Sequence, residues 1–205
     1  LDRKEYEMKQ VFLSCILMTG LLSGLSAQAR PNPYNGLPPV PSFTVTSQDV
    51  KDGEALPLEQ MSGAFGVPGG KDQSPQLSWT GVPSGTKSFV VTMYDPDAPT
   101  PSGFWHWVLV DVPASTTQLP TGAGSPDGKL LPSGAWQLPN DARAPQFIGA
   151  APPAGTGKHR YFLVVQALDI PEVKVPKDST PAFLSFNLLG HILGRAVIVP
   201  YAEQQ

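Results

Sequence analysis

Short runs of β-forming residues separated by turn-formers dominate the chain from residue 30 onward. Residues 42–46 alternate apolar and polar and predict a first strand. Leu77-Ser78-Trp79 predicts a second, short one, closed by Gly81. Residues 88–94 form the clearest strand, almost all of them β-formers. It ends at Asp95-Pro96-Asp97-Ala98-Pro99, where two prolines remove donors and force a turn. Residues 104–112 predict another strong strand, and residues 159–168 a third long one. Thr180-Pro181 has a capping hydroxyl followed by proline at the first helical position, which predicts a helix over 182–193. Residues 196–199 close the pattern as a last strand. Residues 31–41 are Pro-rich and read as an extended arm. Residues 113–146 are a connection long enough to serve as an interaction surface. The pattern predicts one mainly-β domain of sandwich type with a late helix.

Composition sharpens this. The 205 residues include 24 prolines and 20 glycines, without a repeat, which fits many tight turns and excludes collagen. Charged residues are only 15% against 40% hydrophobic, the reverse of a disordered chain. The net charge is −3 and there is no basic row, so a nucleic-acid partner is not expected.

Residues 8–29 combine a basic start at Met8-Lys9, an apolar run from Val11 to Leu25, and Ala27-Gln28-Ala29. This is the pattern of an export signal cleaved after Ala29, with Met8 as the natural start. The expected location is the periplasm or the extracellular space. An uncleaved anchor is the alternative, although the run is short for a bilayer span. Cys15 is the single cysteine and lies inside this segment, so residues 30–205 carry no disulfide and no thiolate.

Strand parity points to a site. Alternate side chains share a face. Phe89, Val91 and Met93 lead to Asp95. Val110 and Val108 lead to His106 and Phe104. Ala167, Val165 and Leu163 lead to Tyr161 and His159. If these rows face one core, one carboxylate, two imidazoles and a phenol converge on a small pocket suited to a phosphate-like or zwitterionic ligand. Each residue also has a plainer reading. Asp95 caps its own turn, His106 is a satisfied core histidine, His159 is a solvated strand start, and Tyr161 is packing. Arg160 falls on the opposite face and is expected to pair with an acid or a carbonyl. Trp105 and Trp107 read as outer-face packing or a rim.

Several blocks also resemble a known family. These are Asp95-Pro96-Asp97-Ala98-Pro99-Thr100, Gly103-Phe104-Trp105-His106-Trp107-Val108, and the stretch Gly149-Ala150-Ala151-Pro152-Pro153 through Gly157-Lys158-His159-Arg160-Tyr161. In this order they resemble the phosphatidylethanolamine-binding protein family, also called Raf kinase inhibitor-like. Pro181-Ala182-Phe183-Leu184 and residues 190–196 are similar to its bacterial branch. The resemblance spans roughly residues 40–200. It implies a Greek-key sandwich of two antiparallel sheets with a small anion-binding pocket and a C-terminal helix.

Carried over residue by residue, the resemblance implies ligand contacts from Asp95, His106, Ala151, Pro152, His159 and Tyr161. Asp97, Pro99 and Trp105 would support them. Ala151 departs from the glycine of animal members, and its methyl is expected to narrow the mouth against bulky head groups. The implied function is non-enzymatic binding of a small phosphate-bearing or phospholipid head-group ligand, with no cofactor and no metal. Inhibition of a partner protease or kinase and weak phosphoester hydrolysis are the alternatives. The connection 113–146 and the Trp-rich strand are the expected surface for a protein partner, and the arm at 31–41 and the helix over 182–193 for a homodimer.

Overall fold

The computed structural model describes residues 30–205; the proposed export signal and Cys15 lie outside the described residues. Its elements in chain order are β1 (Thr44–Thr46), a 3-10 turn (Leu58–Gln60), β2 (Leu77–Thr80), β3 (Ser88–Asp95), β4 (Phe104–Pro113), β5 (Gln118–Leu119), β6 (Trp136–Gln137), β7 (His159–Arg160), β8 (Phe162–Leu168), α1 (Pro181–Asn187), β9 (Ile192–Ile198) and β10 (Tyr201–Ala202). A five-stranded antiparallel sheet runs in the order β6-β4-β3-β8-β9. A three-stranded sheet runs β1-β2-β5, and β10 pairs with β7 in a ladder of two residues each.

The five-stranded sheet is apolar on both faces. On one, Phe89, Val91, Met93, Leu163 and Val165 pack with Leu77 and Trp79 of β2 and Leu119 of β5 in the larger core. On the other, Val90, Val108, Val110 and Leu168 pack under Leu184 and Leu188 of the helical segment. Burial on both faces explains why β3 and β8 read as nearly unbroken apolar runs.

Four expectations need correction. The first is strand parity along β4. Val108 and Val110 face the helix side, with Trp105, while Trp107 and Leu109 face the larger core. One residue step of β3 (Met93 to Tyr94) is matched by two of β4 (Trp107 to Trp105), so His106 is the extra residue of a β-bulge. The bulge, not uninterrupted alternation, turns His106 toward the larger core. It also makes Trp107 a fully buried core residue rather than a rim, with Nε1 donating to Gln137 Oε1 at 2.7 Å. A second register shift holds Asp111 in the left-handed region (φ 56°), where its carboxylate accepts from Trp136 Nε1 and Val173 N.

The second is the run 159–168, which is two strands. His159 and Arg160 pair with β10, and from Phe162 onward the chain pairs with β3 and β9. Tyr161 sits at the change of partner, its N–H donating to Pro200 O.

The third is the helix, which stops at Asn187 instead of reaching 193. Thr180 caps it as expected, accepting from Phe183 N, and Pro181 opens it. Gly190 then turns in the left-handed region (φ 87°), and Ile192 is already paired with Leu168. Residues 192–198 are therefore strand, and the expected strand at 196–199 is its end.

The fourth is the arm at 31–41, which is folded onto the sheet rather than extended. Leu37 N bonds Tyr34 O in a turn, the Tyr34 ring lies 5.9 Å from that of Phe162, and Arg195 N bonds Pro41 O.

Candidate functional site

The end of β3 determines the site. Asp95 Oδ1 accepts from the N–H groups of Asp97 and Ala98 at 2.7 and 2.9 Å, which fixes the Asp-Pro-Asp turn. Its other oxygen, Oδ2, lies 2.8 Å from His159 Nδ1. Turn cap and histidine partner are thus two roles of one carboxylate. With Asp95 3% and His159 1% exposed, the pair is cut off from solvent, and a buried carboxylate must be matched in this way. The other nitrogen, His159 Nε2, lies 2.9 Å from Thr156 Oγ1, whose proton goes to Pro153 O. Both ring nitrogens of His159 are therefore engaged.

Asp97 lies behind this pair. Its carboxylate takes the guanidinium of Arg160 in a fork (Nε to Oδ2 and Nη2 to Oδ1, both 2.7 Å) and also accepts Arg160 N at 3.0 Å. The bidentate pair and burial oppose each other at Asp97, and the guanidinium prevails, holding the carboxyl below its usual range. The acid expected for Arg160 is thus the second carboxylate of the same turn. It ties β7 to the end of β3.

His106 enters from the bulge, its ring 4.8 Å from Phe104 and 5.2 Å from Tyr161. Its Nδ1 donates to the carbonyls of Ile148 and Gly149 at 3.0 and 3.1 Å. Burial pushes its pKa down to about 4, against the pull of Asp95 and the two carbonyls. His106 is therefore neutral at ordinary pH, with Nε2 as its unengaged acceptor nitrogen. Gly149 makes these contacts accessible. A Cβ there would fall 2.4 Å from Met61 C, and glycine allows 149–150 to lie against 60–62. Asp72 Oδ1 accepts Gly149 N from the far side at 2.8 Å.

Tyr161 completes the set. Its hydroxyl is buried without a hydrogen-bond partner; Asp95 stands beside it outside bonding geometry. Burial, aided by the Asp95 charge, pushes the phenol far above its ordinary range, so it remains a neutral donor.

Asp95, His106, Ala151, Pro152, His159 and Tyr161 all line one cavity of about 150 Å³, with Pro99. Phe65 and Phe104 meet edge to face at its wall, ring centres 6.0 Å apart. Phe65 comes from a turn-rich stretch with no periodic signal, so sequence reasoning does not find it. Ala151 is part of the cavity lining.

Trp105 does not belong here. It points to the opposite face of β4 and stacks near Tyr94 at 4.4 Å, because the bulge reverses parity between it and Trp107. The two imidazoles do not offer free donors to the cavity. The Nδ1–H of His106 is committed to two carbonyls, and both nitrogens of His159 are occupied. The free donor is Tyr161, and the free acceptor is His106 Nε2. Among the described residues no group of three or more His, Cys, Asp or Glu is arranged to hold a metal ion.

Comparison with known proteins fits this arrangement. Residues 46–202 match the family model of the phosphatidylethanolamine-binding proteins. The UPF0098 protein YbcL of Escherichia coli is 46% identical over 162 residues, covering 79% of this chain and 88% of that one. YbhB of the same organism is 46% identical over 153 residues, covering 74% and 94%. The crystal structure of YbcL, described as a new member of the mammalian PEBP family, superposes with a TM-score of 0.77 at 44% identity, covering 80% of this chain and 99% of that one. A phosphatidylethanolamine-binding protein homologue from Chlamydia trachomatis gives 0.66 at 26% identity, covering 80% and 99%. The late helix and the two separated histidine blocks therefore fall within a shared fold, and the chain belongs to the phosphatidylethanolamine-binding protein family.

Proposed function

We propose that the cavity binds a small phosphate-bearing head group, without catalysing its turnover, within the Greek-key frame that the family resemblance implies. One observation carries this reading: the buried, unpartnered hydroxyl of Tyr161 beside the unengaged Nε2 of His106. A buried donor without a partner costs roughly 1–3 kcal/mol, and a ligand oxygen in the cavity removes that cost. His106 Nε2 requires a proton from the ligand.

Asp95 stands against His159 and both nitrogens of that ring are engaged, so the cavity offers little net positive charge. A singly protonated phosphate ester or a zwitterion such as phosphoethanolamine suits this pattern better than a dianion. The volume of about 150 Å³ lies below the roughly 300–1,000 Å³ of ordinary small-molecule pockets, enough for a head group and too small for acyl chains. Binding without turnover is favoured by the hydroxyls at hand. Tyr161 stays neutral, Thr100 Oγ1 is committed to Gly103 O, and Thr156, whose Oγ1 lies 2.9 Å from His159 Nε2, is also bonded to Pro153 O and does not line the cavity.

The test is a 15N NMR titration of the wild type, Tyr161→Phe and His159→Ala with inorganic phosphate and with phosphoethanolamine. Saturable shifts at cavity residues are expected, weakened about tenfold in Tyr161→Phe, the effect of one hydrogen bond to a charged group. Equal affinity in wild type and both variants, or release of phosphate from a phosphoester, overturns the reading.

A further inference from the structure

The opposite face of the five-stranded sheet carries a second cavity, of about 310 Å³, between the folded arm and the end of the helix. Its walls are mainly apolar: Leu37 of the arm, Trp105 of β4, and Leu188 and Leu189 after α1. It shares no lining residue with the first cavity.

One cation stands in this wall. Arg195 lies on β9 with its Cζ 5.0 Å from the centre of the Tyr34 ring. Its Nε is buried and makes no hydrogen bond. Among the described residues no carboxylate comes within ion-pair distance of it. A guanidinium keeps its charge when partly buried, so it demands an acceptor. Tyr34 cannot supply a formal negative charge, since burial pushes its phenol up to about 12. Its hydroxyl is also buried without a partner, with Thr92 beside it outside bonding geometry. Gln166, which also lines the cavity, is the cross-strand partner of Arg195 in the β8–β9 ladder, so the two side chains project side by side. Its amide adds a donor next to the fork.

We propose that this cavity is a second ligand site that takes a small amphipathic monocarboxylate, its carboxylate held by Arg195 and Gln166 and its apolar body against Trp105 and Leu188. One guanidinium matches one negative charge, whereas a phosphate dianion would leave charge unmatched in an apolar chamber. The volume falls at the lower end of the ordinary small-molecule range. That admits a medium-chain fatty acid or an arylalkanoic acid, which share the same chemistry.

The probes are octanoate, 4-phenylbutanoate and the uncharged octan-1-ol, titrated into the full chain and followed by 15N NMR at Trp105, Gln166 and Leu188. Both carboxylates are expected to bind saturably. Affinity should drop about tenfold or more in Arg195→Gln, while octan-1-ol binds wild type and variant alike. The tighter of the two acids identifies the body as aliphatic or aromatic. Leu37→Trp, placed on the partly exposed arm, should fill the chamber and weaken all three probes without touching the sheet. Inorganic phosphate should leave these resonances unmoved. Equal octanoate affinity in wild type and Arg195→Gln, no saturable shift in the wild type, or displacement of octanoate by phosphate would each overturn the proposal.

Discussion

Tyr161 and His106 present the same physics with opposite signs. The Tyr161 hydroxyl is buried without a partner, so its removal should relieve strain. Tyr161→Phe is expected to raise unfolding stability by about 1 kcal/mol while weakening ligand binding. A denaturant titration that instead shows a loss of 1 kcal/mol or more would mean that the hydroxyl has a partner. His106 is buried in its neutral form, with a pKa of about 4 against 6.5 for the free side chain. Below pH 6.5 the unfolded chain takes a proton that the folded chain refuses. Stability therefore falls as pH drops from 6.5 toward 4, by about 2 kcal/mol at pH 5. His106→Gln should flatten that slope between pH 7 and 5, measured by chemical denaturation of both proteins. The same shift predicts that ligand affinity shows no step from His106 between pH 5 and 8.

At the scale of elements, what reads clearly in the chain is what local chemistry determines alone. Thr180 and Pro181 mark a helix start because cap and first turn need only their own residues. Thr180→Ala should cost about 1 kcal/mol in thermal or chemical unfolding. The helix end is not legible in the same way. Leu188, Leu189, Ile192 and Leu193 continue an apolar pattern that suits helix and buried strand equally, and tertiary pairing of Ile192 with Leu168 decides it. Phe89, Val91, Met93 and Asp95 keep one face because β3 is central and regular on its β8 side. Parity misassigns Val108, Val110 and Trp107 because one extra residue at His106 leaves no trace in composition. The site residues are nonetheless legible, since the motif blocks that carry the family resemblance include the bulge. Phe65 is not, because a loop side chain reaches the wall only through tertiary clamps such as Asp72 to Gly149 N. Gly149→Ala should test that clamp. Its methyl cannot fit beside Met61, and a loss of about 3 kcal/mol or more is expected by denaturant titration.

For the whole molecule, the two cavities lie on opposite faces of one sheet, and both depend on segments outside it. The export reading of residues 8–29 stays a proposal, and intact-mass analysis of the protein recovered from a secreting host should show a chain beginning at Arg30. Mass including Met8 would overturn it. The first cavity has a more particular dependence. His159 is paired in a ladder only two residues long, against Tyr201 and Ala202. Two residues further on, Gln204 bonds Pro152 O through its amide and accepts from Gly155 N, steadying the segment that forms the cavity wall. The tail thus works as a latch on the segment that forms the cavity wall. Force applied there, by a fused tag or a surface tether, would reach His159 before it disturbed the five-stranded sheet.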